Sequence, residues 1–508
     1  MNSNKKGIIL LSTLLALSLI GCGNGGNSHS QSSLSSSTNS EMSTTSSMDS
    51  SSSSSSSSIT HQVTLDELSF QFNTVDESSY RVGAKEKYSV EGDLVIPSEY
   101  NGKPVTEIKS FAFSGCRSLK SVVIPDTILS IGGDAFNSCT SLKSVTIGQN
   151  VKTIGYNAFD SCESLKSVVI PDSVNEITEG AFKFCSKLES VTLSKNIVAI
   201  NDYTFENCTS LKTISIPSGV TSIGKFAFTD CAFDAITLPD VLESIDKSAF
   251  AWCKNLTTIH IPMKVNFIGQ AALSACAKLE TITVDENNGF FTSVDGVLYN
   301  KELTTVLKFP TNWSKEFTLL DSVTTIGDYA FSSCIKLTSF AIPTHVNKVG
   351  DCAFSGCESL TSITIPDSVT SLGMFCFGND TSLTSIVIPG SVTTIEQGTF
   401  RDCHALTSVT LSEGITYIGH TPFMWCTSLK SIVIPHSVIK LGLQALYESF
   451  FDDIYYKGTE DEWNNIESLS EPEYTYNHDE ATLCFYSESQ PTNAGHYWHY
   501  VEETPTVW

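Results

Sequence analysis

The stretch CESLKSVVIPDSVNEITEGAFKF, residues Cys162 to Phe184, decides the fold, because a near copy of it begins at Cys185. Aligned on cysteine, the copies start at Cys116, Cys139, Cys162, Cys185, Cys208 and Cys231, each 23 residues after the last. They continue at Cys253, Cys276, Cys334, Cys357, Cys403 and Cys426, and Asp380 fills the slot inside the 46-residue step after Cys357, making thirteen copies. A fixed period of this length marks a stack of similar units, none of which buries its apolar face alone.

Within a copy the pattern is A-F-x-x-C-x-S-L-x-S-V-x-I-P-x-S-V-x-x-I-G. Leu165-x-x-Val168-x-Ile170 is the L-x-x-L-x-L signature of a leucine-rich repeat, whose alternation turns Val168 and Ile170 inward and Val169 outward. Pro171 has no amide proton and ends the ladder, SVNEI allows a second short strand, and Gly180-Ala181-Phe182 turns the chain towards Cys185. Coils stacked about 4.8 Å apart make a rod or arc about 60 Å long. Phenylalanine stands three places before the cysteine slot in twelve of the thirteen copies, with Leu273 the exception. A repeated inward aromatic predicts a stacked core ladder.

The same periodicity bears on the sixteen cysteines. Side chains repeating at one slot lie side by side with parallel Cβ vectors, which disfavours the Cβ separation of about 3.8 Å that a disulfide needs. The expectation is buried free thiols acting as small apolar residues, with Cys352 and Cys376, outside the regular slot, as candidates for a local bridge and Cys484 as an odd residue.

These motifs resemble the BspA-type leucine-rich repeat family of bacterial surface proteins, from Leu65 to about Leu446. GDLVIPSEYNGKPVTEIKSFAF resembles the entry segment of such domains, and IYYKGTEDEWNNI with YSESQPTNAGHYWHYVEETPTVW resembles a recurrent C-terminal module. The resemblance implies a β-rich solenoid and a role among surface adhesins and interaction proteins. The expected organisation is an entry segment over 63–110, the solenoid over 111–448 with an irregular insertion at about 285–322, and an aromatic, acidic cap over 449–508.

The N-terminus, MNSNKKGIILLSTLLALSLIGC, combines Lys5 and Lys6 with a 13-residue apolar run, too short to span a bilayer comfortably. LIGC resembles a bacterial lipobox, which assigns residues 1–21 as a lipoprotein signal peptide and Cys22 as the lipidated first residue of the mature chain. Serine makes up 20 of the 31 residues from Ser28 to Ser58, so residues 22–62 are read as a flexible tether. Its coil span is about 35 Å and its full extension about 140 Å.

Several departures from the pattern stand out. FFTSVDGVLYNKELTTVLKFP, between Cys276 and Cys334, reads as a β-hairpin or modified coil, or as a protruding contact loop. The step from Cys231 to Cys253 is one residue short, with Phe233 in the leucine position, and a small irregularity in curvature is expected there. From Ser449 the repeat stops and aromatics gather, among them Tyr455, Tyr456, Trp463, Tyr486, Trp498, Tyr500 and Trp508, suited to covering the apolar end or to stacking on sugars.

A formal charge of −25 argues against nucleic acid or an anionic membrane surface as a partner, leaving the lipid as the membrane attachment. No G-x-S-x-G, H-E-x-x-H or phosphate loop occurs, so no catalysis and no cofactor are expected. There is no C-x-x-C, and the His496/His499 pair in HYWH lacks a third ligand, so no metal is expected either. What remains is the outward face of the main strands. A smooth row of Val123, Thr146, Val169, Thr192, Ser215, Thr237, His260 and their successors is flanked by Lys120, Lys143, Lys166, Lys212 and Lys430. The candidate binding surface is Lys143, Thr146, Lys166, Val169, Thr192, Lys212, Ser215, Thr237 and His260. The reading is a monomeric, non-catalytic surface protein docking a protein or glycan on another cell or matrix. The alternative is a carbohydrate-binding or enzyme-accessory protein working through the aromatic C-terminal module.

Overall fold

The computed structural model describes residues 61–508 except 74–76, 314–315, 448, 471–480, 493–494 and 503. The expected signal peptide, Cys22 and the Ser28–Ser58 tract fall outside the described residues. The rest is a β-solenoid with two strand-bearing sides and a turn side. On the main side, Ser144–Thr146, Ser167–Val169 and Ser190–Thr192 each alternate exposed, buried, exposed. Successive strands pair parallel, with Val168 opposite Val191 and Val169 opposite Thr192. The second side carries two-residue strands such as Thr153–Ile154 and Glu176–Ile177, also parallel and 23 residues apart.

The third side is the A-F-x-x-C turn, and here the chain bonds between coils without forming strands. The N–H groups of Asn157, Phe159 and Ser161 donate to the carbonyls of Glu179, Ala181 and Lys183 at 3.0, 2.8 and 2.8 Å. Aiming all three along the solenoid axis requires left-handed backbone at two places per turn, here Asn157 (φ 49°) and Ser161 (φ 57°). Asn, Asp, Ser or Gly fill these places in many copies, because short polar side chains and glycine tolerate positive φ. Bulky rings occupy others, including Phe226 (φ 55°) and Trp252 (φ 61°).

The core is built of two columns. In the first, phenylalanine rings stack coil on coil from Phe113 to Phe250, as with Phe136 and Phe159 at 5.2 Å and 5°. The stack resumes at Phe309, which lies 4.8 Å from Phe331, and runs on to Phe423. The second column is the repeat cysteines, and all fifteen described cysteines, Cys352 and Cys376 outside the column included, are buried and in no disulfide. They differ from apolar filler in one respect. Each repeat thiol from Cys139 to Cys276 donates to the carbonyl of the phenylalanine one coil earlier, for example Cys162 Sγ to Phe136 O at 3.3 Å. Asp380, fully buried in the cysteine slot, reverses the polarity and accepts from the backbone N–H of Cys357 at 2.8 Å.

The inserted segment is woven in and does not protrude. Phe291–Val294, Val297–Asn300 and Thr305–Lys308 form an antiparallel meander whose last strand runs parallel to Thr325–Ile326 of the second side. Val297, Leu298, Tyr299 and Val306 are buried, with Val297 packed into the C-terminal core and Leu298 into the N-terminal one. Asn288 anchors the entry to this meander. Its amide donates to Pro262 O and Val265 O at 2.8 and 2.9 Å and accepts from the N–H groups of Phe290 and Phe291, both at 2.8 Å.

Other irregularities show in the main sheet. Its strand pairing lapses between Thr146 and Ser167 and again between Ile214 and Ala235. The second lapse coincides with the 22-residue step, where buried Phe233 meets Phe228 edge-on at 5.5 Å. From Ser339 onward the main sheet is continuous through nine strands to Val507. Asp453–Tyr456, Thr482–Tyr486 and Tyr497–Val501 continue the parallel stack, and Thr504–Val507 closes it antiparallel, with Pro505 in the edge strand. An edge proline has no N–H to offer an incoming strand.

Candidate interaction face

The main strands position the candidate surface. Alternation sends every second side chain outward, and 23-residue register sets equivalents of successive coils beside one another. Lys143, Thr146, Lys166, Val169, Thr192, Lys212, Ser215, Thr237 and His260 are all exposed. Pairing brings Val123 beside Thr146, Val169 beside Thr192, and His260 beside Thr283, where the imidazole Nδ1 lies 3.0 Å from the threonine Oγ1. The pairing lapses divide these nine residues among three short sheets, so Thr146 and Val169 are neighbours in the stack without a shared strand ladder.

The lysines define one half of the face. Lys120, Lys143, Lys166 and Lys212 line one flank, with exposed Glu189 in the same slot between the last two, and none of these lysines is in an ion pair among the described residues. In the other half threonine holds this slot in four successive coils, Thr338, Thr361, Thr384 and Thr407, before Lys430. Thr361, Thr384 and Thr407 each donate their hydroxyl to the carbonyl of the threonine one coil earlier, at 3.0, 3.3 and 3.0 Å. These hydroxyls are spent on the backbone, leaving methyl groups and neutral surface outward. A serine column, with Ser144, Ser167, Ser190, Ser362, Ser385, Ser408 and Ser431 exposed, runs beside the row. Sequence reasoning omitted it, although the S in S-V-x-I, two places before the row, shares its face by strand periodicity.

The thiols offer no chemistry on this face. Burial holds them above the ordinary thiol range, Cys276 and Cys426 at about 12 and Cys334 at about 11. Among the described residues no group of three or more His, Cys, Asp or Glu side chains is placed to hold a metal. Nor is any helix long and apolar enough to cross a membrane. In the C-terminal module the aromatics pack on one another. Trp498 is fully buried and donates its Nε1–H to Tyr456 O at 2.9 Å, while Tyr455, Tyr486 and Tyr500 surround its ring at 5.3, 5.2 and 5.0 Å.

Parallel coils of about 23 residues, an L-x-x-V-x-I strand and one exposed ladder face define a leucine-rich repeat solenoid. The chain belongs to the BspA type leucine rich repeat region family, whose model matches residues 106–200, 175–301 and 314–455. Among solved structures it is similar to a leucine rich cell surface protein of Faecalibacterium prausnitzii, at 30% identity and a TM-score of 0.56, covering 80% of this chain and 97% of that one. It is also similar to a leucine-rich repeat protein of Eubacterium ventriosum, at 22% identity and a TM-score of 0.46, covering 74% and 90%. No curated protein matches the chain.

Proposed function

We propose that this chain is a lipid-anchored protein of the bacterial cell surface that docks a protein or glycan of another cell or matrix on its main-strand face. The observation that carries the reading is the ladder itself: outward side chains in register over successive coils, exposed and unused by the core. Family membership and the cell-surface relative support an extracytoplasmic setting. Cys22 would hold the lipid, the serine tract would lift the solenoid from the membrane, and residues 449–508 would close its apolar end. Lysines without ion pairs among the described residues alternate on this flank with exposed Glu189, Asp234 and Glu280, giving a partner a charge pattern in register to recognise. Burial of Trp498 and stacking of Trp508 on His499 at 3.7 Å engage two of the three tryptophans of the C-terminal module with the protein itself, which favours the ladder face over that module.

Capture experiments with the chain from Cys22 onward, displayed on vesicles, test this. Binding to cells, matrix proteins or a glycan array is expected, and uniform absence of binding would contradict it. Anchoring has its own readout: Cys22→Ala releases the chain from the membrane fraction.

A further inference from the structure

The turn side of the solenoid has one open place. In regular coils three turn N–H groups are consumed by the next coil, as when Ser248, Phe250 and Trp252 donate to Gln270, Ala272 and Ser274 O at 3.0, 2.9 and 2.9 Å. One coil later the inserted meander takes the place of a regular neighbour. Among the described residues nothing accepts from the N–H groups of Ala271 or Leu273. The phenylalanine stack is broken at the same level, since Leu273 stands between Phe250 and Phe309. A cleft with a cavity volume of about 200 Å³ opens there, lined by both residues and by Ser274, Leu298, Lys308 and Tyr329.

The cleft is rich in donors and poor in acceptors. Lys308 is 5% exposed, and its ammonium donates to Tyr329 O and Ser332 O at 3.2 and 3.0 Å. Among the described residues its third N–H has no partner and no carboxylate pairs with it; burial holds the amine below its ordinary range. Ser274 is 7% exposed and its hydroxyl is unpaired. Burial disfavours the charged amine, and an anion at its open N–H restores the ammonium form, so binding of one is coupled to protonation of Lys308. Left-handed Ala271 (φ 57°) gives the turn the conformation of a backbone nest, which gathers N–H groups around negative charge. In the other coils carbonyls fill that role.

We propose that this cleft binds a small carboxylic acid with a short apolar substituent. Its carboxylate answers Lys308 and the open N–H groups, and its substituent lies against Leu273 and Leu298. The space equals about six or seven waters at roughly 30 Å³ each, enough for an acid of branched-chain size. Asp328, whose carboxylate accepts from Gln270 Nε2 at 2.8 Å at the mouth, disfavours a dianion such as phosphate.

Calorimetric titration of the full chain with isovalerate tests this, alongside inorganic phosphate and a short peptide ending in valine. One-site binding of isovalerate, stronger than phosphate, is expected; comparable binding of the peptide would place the carboxylate at a chain terminus, and peptide silence would leave a free acid. Lys308→Met and Leu273→Phe, which restores the missing ring, should each weaken binding by roughly tenfold or more while the melting temperature without ligand holds or rises. If Lys308→Met fails to fold, Leu273→Phe decides alone. No response to either carboxylate, or a response unchanged in the variants, overturns the proposal.

Discussion

At the scale of single residues, the cysteine slot has the strongest consequence. A thiol that only fills space is best replaced by alanine, whereas one that satisfies a buried carbonyl is better replaced by serine. Cys162→Ala removes one of the two donors to Phe136 O, which keeps the Cys139 N–H at 3.2 Å, and should cost about 0.5–1.5 kcal/mol for the lost hydrogen bond, with Cys162→Ser milder, in denaturant titrations. The reverse order would restore the filler reading. Titration gives a second test. Thiols of ordinary value near 9.0 are raised to about 12 at Cys276 and Cys426, so the unfolded chain releases these protons first. Stability is therefore full below about pH 8.5 and lost as pH rises through 9 towards 12, by about 1.4 kcal/mol per pH unit for each thiol. Denaturation midpoints from pH 7 to 10.5 should fall with increasing slope; a flat profile would contradict the buried thiols. The position of each cysteine was legible from its 23-residue spacing. Its hydrogen bond was not, because the acceptor is a backbone carbonyl of another coil.

At the scale of elements, the phenylalanine stack and the inserted meander make opposite demands on sequence reading. Phe182 lies between rings at 5.4 and 5.7 Å, and Phe182→Ala should cost about 3–5 kcal/mol, because neighbouring coils cannot close the gap without breaking their own ladders. Twelve copies of one pattern made that column readable. Asn288 occurs once, and only its surroundings reveal that four backbone groups converge on its amide. Asn288→Leu should destabilise the protein by about 3 kcal/mol or more and raise amide exchange across 290–308, measured by mass spectrometry. A hairpin has two strands where the segment has three, and the hairpin expectation gave no direction to their side chains. Val297 and Leu298 face opposite cores by strand alternation, and both faces are buried because the segment joins two stacks, which the local sequence does not disclose.

At the scale of the molecule, each coil is stabilised by its neighbours, and the ends and the junction decide how the stack behaves. The sequence motif accounts for thirteen coils, and the solenoid extends past them through the Gly92–Val95 strand before the first cysteine and through Asp453–Tyr456 and Thr482–Tyr486 after the last. Those outer turns were harder to read because their strands lack the repeated cysteine and phenylalanine. The outward row was legible by alternation alone, while the change from lysine to backbone-bonded threonine along its flank emerged only with the stacking register. What the row does is the central claim, and paired charge substitutions test it most directly. Val169 and Val387 are 64% and 58% exposed on the main face, while Val198 and Ile439 are 61% and 66% exposed beside the second-side strands. Glutamate at either pair should change stability by no more than about 0.5 kcal/mol per site. In equilibrium binding of the chain to intact cells, the account predicts that Val169→Glu with Val387→Glu weakens binding by about tenfold or more, and that Val198→Glu with Ile439→Glu leaves it unchanged. Equal binding by both variants, or loss in the second alone, would contradict it.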